Sequence, residues 1–151
     1  MLAKFLALVL AGLAVCAGMV GCGAAAACHT EWFDFTVHSI KKVDSYAGHV
    51  PGAGYALYDV RITERNTFGS AIAMGTRDFY MDDPGFEEYI WPMAPLDATM
   101  MPEEFSLEPG KTARYHMVFE APSDAAALVL LYTELNEDGA QGATFEVPVE
   151  M

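Results

Sequence analysis

The chain has 151 residues, of which 53% are hydrophobic, and it carries 8 basic against 21 acidic side chains for a formal net charge of -13. This length fits one globular domain and excludes a polytopic membrane protein. The shortage of basic residues excludes a surface that could neutralise the phosphates of a nucleic acid.

The first 21 residues resemble a secretory signal. One charge, Lys4, precedes an apolar stretch from Phe5 to Val20. Because a helix needs ~20 apolar residues to cross a bilayer, this shorter stretch favours a cleaved leader over a permanent span. We therefore predict a signal peptide at residues 1–21.

The end of the leader, Met19-Val20-Gly21-Cys22, resembles the lipobox of bacterial lipoproteins. In such sequences the peptidase cuts before a cysteine whose sulfur already carries diacylglycerol. Cys22 is therefore the predicted lipidation site, and its acyl chains, such as palmitate, are predicted to anchor the protein at the extracellular face of the cell membrane. The alternative is ordinary cleavage after Ala27, at the A-x-A pattern of residues 25–27.

The cysteine count follows from this assignment. Cys16 would leave with the leader and Cys22 would carry lipid, so the third cysteine, Cys28, cannot form a disulfide within the mature chain. We expect a domain that folds without a disulfide. Residues 22–30 are predicted to be a Gly/Ala-rich tether.

From Glu31 onward apolar and polar residues alternate, which is typical of half-buried β-strands. The clearest alternation runs from Tyr55 to Arg65, with Ala56, Tyr58, Val60 and Ile62 on the predicted inner face and Asp59, Arg61, Thr63 and Arg65 outside. Further strands are predicted at Trp32 to Ser39, with a bulge beyond it, Ile72 to Met74, Asp78 to Asp82, Glu88 to Trp91, Glu103 to Leu107, Ala113 to Phe119, Leu128 to Tyr132 and Phe145 to Val149. About eight strands in residues 31–151 predict one all-β domain, an antiparallel β-sandwich.

Several motifs also resemble a known family: the first strand Glu31 to Val37, Tyr58-x-Val60-x-Ile62-x-x-x-Asn66, Met74-Gly75-Thr76-x-Asp78-Phe79, Phe105-x-Leu107-x-Pro109-Gly110-Lys111 and Val118-Phe119-Glu120-Ala121-Pro122. Together they resemble Gram-positive surface lipoproteins with an immunoglobulin-like domain of unknown function. The telokin-like sandwich of that family is shared with immunoprotective extracellular antigens of mycobacteria. The resemblance implies a domain displayed outside the cell with an unassigned binding role, and it brings no catalytic residues.

An acidic loop offers one candidate site. Asp82, Asp83, Glu87 and Glu88 stand within seven residues. Their carboxylates could hold Ca²⁺, although the spacing matches no EF-hand. The alternative is a charged loop that only faces water. Extracellular Ca²⁺ binding is thus a second functional hypothesis.

Copper is a weaker metal hypothesis. Its thioether and imidazole ligands would be Met93, Met100, Met101, His116 and Met117. His116 and Met117 are neighbours on a predicted strand, so their side chains point to opposite faces and cannot share one ion without a bulge. Met117 is therefore predicted to belong to the core.

An exposed aromatic group offers a site of another kind. Tyr89, Trp91 and Met93 lie in a Pro-rich stretch and could form an apolar surface for a partner. The alternative is a long connection that folds back over one end of the sandwich.

Signatures of enzymes are missing from the sequence. It contains no Gly-x-Ser-x-Gly elbow, Cys–His arrangement, H-E-x-x-H, Walker or dinucleotide fingerprint. We therefore expect no enzyme and no cofactor. The sequence predicts a membrane-anchored surface lipoprotein that binds an envelope protein or component.

Overall fold

The computed structural model describes residues 13–15, 25–136 and 138–150. Ten strands and one short 3-10 helix succeed one another in this part of the chain: β1 Leu13–Val15, β2 Ala26–His29, β3 Phe33–Val43, β4 Tyr55–Asn66, β5 Ile72–Met74, the 3-10 helix Thr76–Asp78, β6 Phe79–Asp82, β7 Phe105–Leu107, β8 Thr112–Pro122, β9 Val129–Leu135 and β10 Gln141–Pro148. None of the described segments is a helix with the length and apolar character of a membrane span.

The strands form two four-stranded sheets with the orders β1-β10-β9-β6 and β2-β3-β4-β8, and β5 pairs with β7 as a separate ribbon. All described pairings between strands are antiparallel except the parallel pair of β1 with β10. The predicted all-β antiparallel sandwich is confirmed. The predicted bulge is present as a register shift in β3 between Val37 and Ser39.

An aromatic cluster joins the two sheets at the centre of the core. The ring of Phe35 on β3 lies 5.4 Å from Phe79, 5.8 Å from Tyr132 and 6.2 Å from Phe145, all three on the opposite sheet. The three contacts are edge-on, a favourable arrangement for aromatic rings. Burial of these rings fixes which face of each strand turns inward.

The first sheet strand of the domain corrects two predictions. Ala26 and Cys28 are buried and β2 pairs with β3, so Ala26–His29 belongs to the sandwich and the predicted tether of 22–30 is too long. Small side chains at alternate positions gave the strand a linker-like composition. Cys28 is disulfide-bonded, so the prediction of a domain without a disulfide is wrong.

Most of the leader lies outside the described residues, as do Cys16 and the predicted lipidation site Cys22. Only Leu13–Val15 is described there, and it pairs with β10. The structure therefore places three residues of the predicted signal peptide beside the edge of one sheet.

A proline–glycine turn joins β7 to β8 as predicted. Lys111 N–H donates to the carbonyl of Glu108 at 3.0 Å, and Gly110 has a positive φ of 72°. A positive φ at the second central position defines a type II turn and favours glycine. Buried Asn66 holds the turn in place, because its backbone carbonyl accepts a hydrogen bond from Gly110 N–H.

The connection from residue 83 to 104 crosses from one sheet to the other. Ile90 bridges to Met81 on edge strand β6, and Pro92 bridges to Phe119 on edge strand β8. The chain then continues along β8, where Met93 N–H donates to the carbonyl of Val118 at 2.8 Å. This connection covers both sheet edges, which limits pairing with other chains. The strand predicted from Glu88 to Trp91 is only the single bridge at Ile90.

Candidate functional site

Three aromatic rings form a surface on the outer face of the sheet that contains β6. The ring of Tyr80 lies 4.7 Å from that of Tyr89 and 5.4 Å from that of Trp91. Tyr89 is 56% exposed and Trp91 is 46% exposed. We call Tyr80, Tyr89 and Trp91 the aromatic patch.

Hydrogen bonds of side chains and of the backbone fix the position of the aromatic patch. The Tyr80 hydroxyl is 2.8 Å from the hydroxyl of Thr133, which is 3.0 Å from that of Thr144. Ile90 exchanges two backbone hydrogen bonds of 2.8 Å with Met81. Buried Ile90 points inward, so its two neighbours in this extended segment point out. The sequence predicted Tyr89 and Trp91, whereas Tyr80 was missed because it comes from a separate strand.

The structure does not bring Met93 to the aromatic patch. It packs instead on the other sheet, against a small apolar cluster of Leu57, Met100 and Val118. The prediction of Met93 as part of the interaction surface is therefore corrected. The connection does fold back over one end of a sheet, as the alternative interpretation proposed, but it does so only beyond Trp91.

The acidic loop forms a tight turn. Asp83 is buried, and its Oδ1 accepts from Gly85 N–H at 3.1 Å. Glu87 and Glu88 are exposed. Within the part of the chain that the structure describes, no group of three or more His, Cys, Asp or Glu side chains could hold a metal ion. The calcium hypothesis for Asp82, Asp83, Glu87 and Glu88 thus has no assembled ligand set.

The predicted copper ligands are also separated in the structure. Met101 and Met117 are fully buried in the main core, while Met93 and Met100 lie in the cluster on the other side of the sheet. The imidazole of His116 is engaged elsewhere, since its Nδ1 lies 2.7 Å from Oδ1 of Asp59. These soft ligands do not converge.

A second surface feature, which sequence reasoning missed, lies on the outer face of the sheet that contains β4 and β8. A groove with a volume of about 650 Å³ opens between the strands and the connection. Its polar lining comes from His38, Arg61, Thr63, Thr99, Arg114 and His116. We call His38, Arg61, Arg114 and His116 the basic groove.

The connection forms one wall of the basic groove. His116 N–H donates to the carbonyl of Thr99 at 3.0 Å, and Met101 N–H donates to the carbonyl of His116 at 2.8 Å. The Thr99 hydroxyl and backbone N–H both donate to Asp97, at 2.6 and 2.8 Å. These hydrogen bonds, the side-chain one foremost, lower the pKa of the Asp97 carboxyl. Backbone hydrogen bonds to His116 therefore hold this wall against β8.

The burial of Asp59 shows why the alternation of apolar and polar residues alone could not predict this groove. The sequence predicted Asp59 on the exposed outer face of its strand, but the residue is only 8% exposed. The small apolar cluster beneath the connection, with Leu57 and Val118, covers this end of the face. The carboxylate is compensated by its 2.7 Å contact with His116, since a buried charge needs a partner.

The Asp59–His116 pair invites comparison with hydrolase sites, where a carboxylate orients a histidine that activates a nucleophile. The third member is missing here: among the described residues, no hydroxyl is hydrogen-bonded to the His116 ring. The Thr99 hydroxyl on the wall donates to Asp97. The Asp59 carboxylate thus orients the His116 imidazole beside the groove.

No family model and no curated protein matches the chain. Several solved structures are similar. A candidate lipoprotein of Bacillus subtilis, ycdA, is 12% identical with a TM-score of 0.62 over 80% of this chain and 38% of its own, so the chain spans well under half of that protein. The secreted protein MPT63 of Mycobacterium tuberculosis is 10% identical with a TM-score of 0.57 over 90% of this chain and 98% of its own.

An uncharacterised β-sandwich protein of Clostridium difficile is 14% identical with a TM-score of 0.52, over 87% of this chain and 93% of its own. At such low identities the similarity establishes the fold alone. The chain therefore shares a β-sandwich architecture with proteins whose functions are unassigned.

Proposed function

We propose that this chain is a non-catalytic binding protein of the cell exterior that contacts its partner through the aromatic patch. The observation that carries the proposal is the exposure of Tyr89 and Trp91, 56% and 46%, although both rings pack on Tyr80. Rigid exposed Tyr and Trp side chains are the residues that most often dominate binding energy at interfaces. Their fixed positions reduce the entropy lost on binding.

The surroundings of the patch favour a basic partner. Glu87 and Glu88 are exposed and directly precede Tyr89, and the chain as a whole carries 21 acidic against 8 basic side chains. Arginine and lysine bind over aromatic faces and pair with carboxylates at the same time. The proposed partner is therefore an extracellular protein segment rich in Arg or Lys.

The exterior location draws support from two sources. They are the signal-like leader with its lipobox and the fold shared with a candidate lipoprotein and a secreted protein. Cleavage after Ala27 would cut β2 and remove buried Ala26 from the core. The proposed cut is therefore before Cys22, with lipid on its sulfur.

Titration of the purified full-length protein with an arginine-rich peptide, followed by calorimetry, tests the role of the patch. We expect Tyr89→Ala and Trp91→Ala each to weaken binding at least about tenfold. Tyr55→Ala is the matched control, because Tyr55 is 43% exposed at the start of another strand. Added salt should weaken binding, since part of the attraction is electrostatic.

Two results would overturn the proposal. One is the absence of peptide binding by the folded wild-type protein at low ionic strength. The other is an equal loss of affinity in Tyr55→Ala and Trp91→Ala, because that would show binding to no particular surface. Circular dichroism of each variant confirms that the fold is retained.

A further inference from the structure

The basic groove stands out against the charge of the rest of the molecule. The chain has 8 Lys and Arg residues in all, yet two arginines and two histidines line this one groove, and no Asp or Glu does. A local excess of positive groups on a strongly acidic protein opposes the overall field.

The strand register places the groups side by side. On the antiparallel pair of β4 and β8, Arg61 lies opposite His116 and Thr63 lies opposite Arg114. The two arginines are thus diagonal neighbours on one face, a separation of about 7–8 Å within reach of long side chains. His38, from the bulged part of β3, joins them through a 2.7 Å contact between its Nε2 and the Thr63 hydroxyl.

Neither guanidinium is neutralised by the protein. No ion pair of Arg61 or Arg114 is present within the described residues. The two carboxylates that contact the groove lining bind other groups, Asp59 the His116 ring and Asp97 the Thr99 hydroxyl. The two arginines therefore keep their hydrogen-bond donors available for a ligand.

We infer that the basic groove is a second binding site, which takes an anion with two or more charged oxygens of phosphate or carboxylate groups. Guanidinium groups bind such oxygens in pairs through parallel N–H donors. Thr63 lies opposite Arg114 and two residues after Arg61 on the same face, so its hydroxyl adds a polar group beside both guanidinium groups. The site lies on the outer face opposite to the aromatic patch and prefers the opposite charge, so it is independent of the proposed function.

Calorimetry of the purified full-length protein tests this inference with tripolyphosphate and citrate as probes, at equal ionic strength. We expect at least one probe to bind, and the one that binds more tightly identifies phosphate or carboxylate as the preferred group. Arg61→Ala and Arg114→Ala should each lower the affinity at least about tenfold, as expected for a lost charged hydrogen bond. Arg61→Lys should recover only part of it, because lysine lacks the planar pair of donors.

Arg77→Ala is the matched control, because it removes one exposed arginine outside the groove. Unchanged affinity in this variant, with losses in Arg61→Ala and Arg114→Ala, supports the site. The inference is overturned when neither probe binds, or when all three variants lose affinity equally through net charge alone. Tyr89→Ala serves as a cross-check: its anion affinity should equal that of the wild type whatever the fate of the aromatic patch.

Discussion

At the scale of single residues, the most unusual group is a carboxyl in the core. Glu64 is fully buried on the inner face of β4, and neither of its oxygens has a hydrogen-bond partner among the described residues. Burial, and to a lesser extent the nearby Asp78 carboxyl, together raise its pKa to about 8. An ionised carboxylate without partners is very costly inside a protein, so Glu64 is protonated at neutral pH.

This burial predicts that the protein becomes less stable as the pH rises. Because the folded pKa of Glu64 lies above the unfolded value of 4.5, its contribution is fully present below 4.5 and is lost as the pH rises to about 8. The loss approaches about 1.4 kcal/mol per pH unit within that window. Urea unfolding from pH 5 to 8 should show Glu64→Gln to be less pH-dependent than the wild type and more stable at pH 8.

Ionisable groups near Glu64 should leave some pH dependence of stability in the Glu64→Gln variant. Burial also raises the pKa of the Asp78 carboxyl, so Glu64→Gln should retain a weaker dependence of the same sign. Tyr132 and Glu134 face the same region. Burial raises the pKa of the Tyr132 hydroxyl, and the Asp78, Glu134 and Glu64 carboxyls raise it to a lesser extent. Glu108→Gln, at an exposed turn, should leave the wild-type slope unchanged. If the free energy of unfolding of Glu64→Gln fell with pH as steeply as that of the wild type, Glu64 would not be the responsible group.

At the scale of elements, alternation predicted the strands well because one face of each is buried in a common core. It gave the inner residues of β4 and the register shift of β3. It failed where a distant segment decides burial. Asp59 and Val118 are covered by the connection, and strand periodicity contains no information about which loop lies on an outer face. The basic groove could not be predicted for the same reason, since it needs the register of β4 with β8.

The crossing from β5 to β6 depends on a glycine that is required for space and not for its backbone angles. Gly75 is extended, with φ of -177°, but a Cβ there would lie 1.9 Å from the carbonyl oxygen of Glu103. The two segments are held together by a 3.2 Å hydrogen bond from Thr76 N–H to the carbonyl of Pro102. Gly75→Ala must therefore push this connection away from the strand.

We expect Gly75→Ala to lower the free energy of unfolding by about 1–3 kcal/mol, the usual cost of overpacking. Thermal and urea unfolding measure the change. Gly69→Ala is the matched control, because a Cβ at Gly69 meets nothing within 4 Å. Equal stability of the two variants would contradict the close approach seen at Gly75.

At the scale of the whole molecule, composition gave the sum of the charges but not their arrangement. The excess of acidic groups predicted an inability to bind nucleic acid. It could not show that Arg61 and Arg114 share one face while Glu87 and Glu88 lie beside the aromatic patch. The structure places these charges on two separate surfaces, for which we propose ligands of opposite charge. One protein could therefore bind a basic and an anionic group at once.

The bonding of the three cysteine sulfurs determines whether the chain can carry a lipid anchor. Cys28 is disulfide-bonded, and the other two cysteines of the chain, Cys16 and Cys22, lie outside the described residues. A sulfur that forms a thioether with a lipid cannot also form a disulfide. Lipidation of Cys22, with loss of Cys16 in the leader, therefore excludes every disulfide of Cys28 within the mature chain.

Mass spectrometry of the mature protein after non-reducing proteolysis distinguishes a lipidated Cys22 from a Cys22 that is joined to Cys28. Partition into a detergent phase reports the lipid anchor. If Cys22 is lipidated, the wild type should partition with detergent, Cys22→Ser should move to the aqueous phase, and Cys16→Ser should behave as the wild type because that residue leaves with the leader. Recovery of a peptide in which Cys22 is joined to Cys28 would refute the anchor at this sulfur. The protein would then be secreted without lipid, and the same disulfide would fasten the residues before β2 to the sandwich.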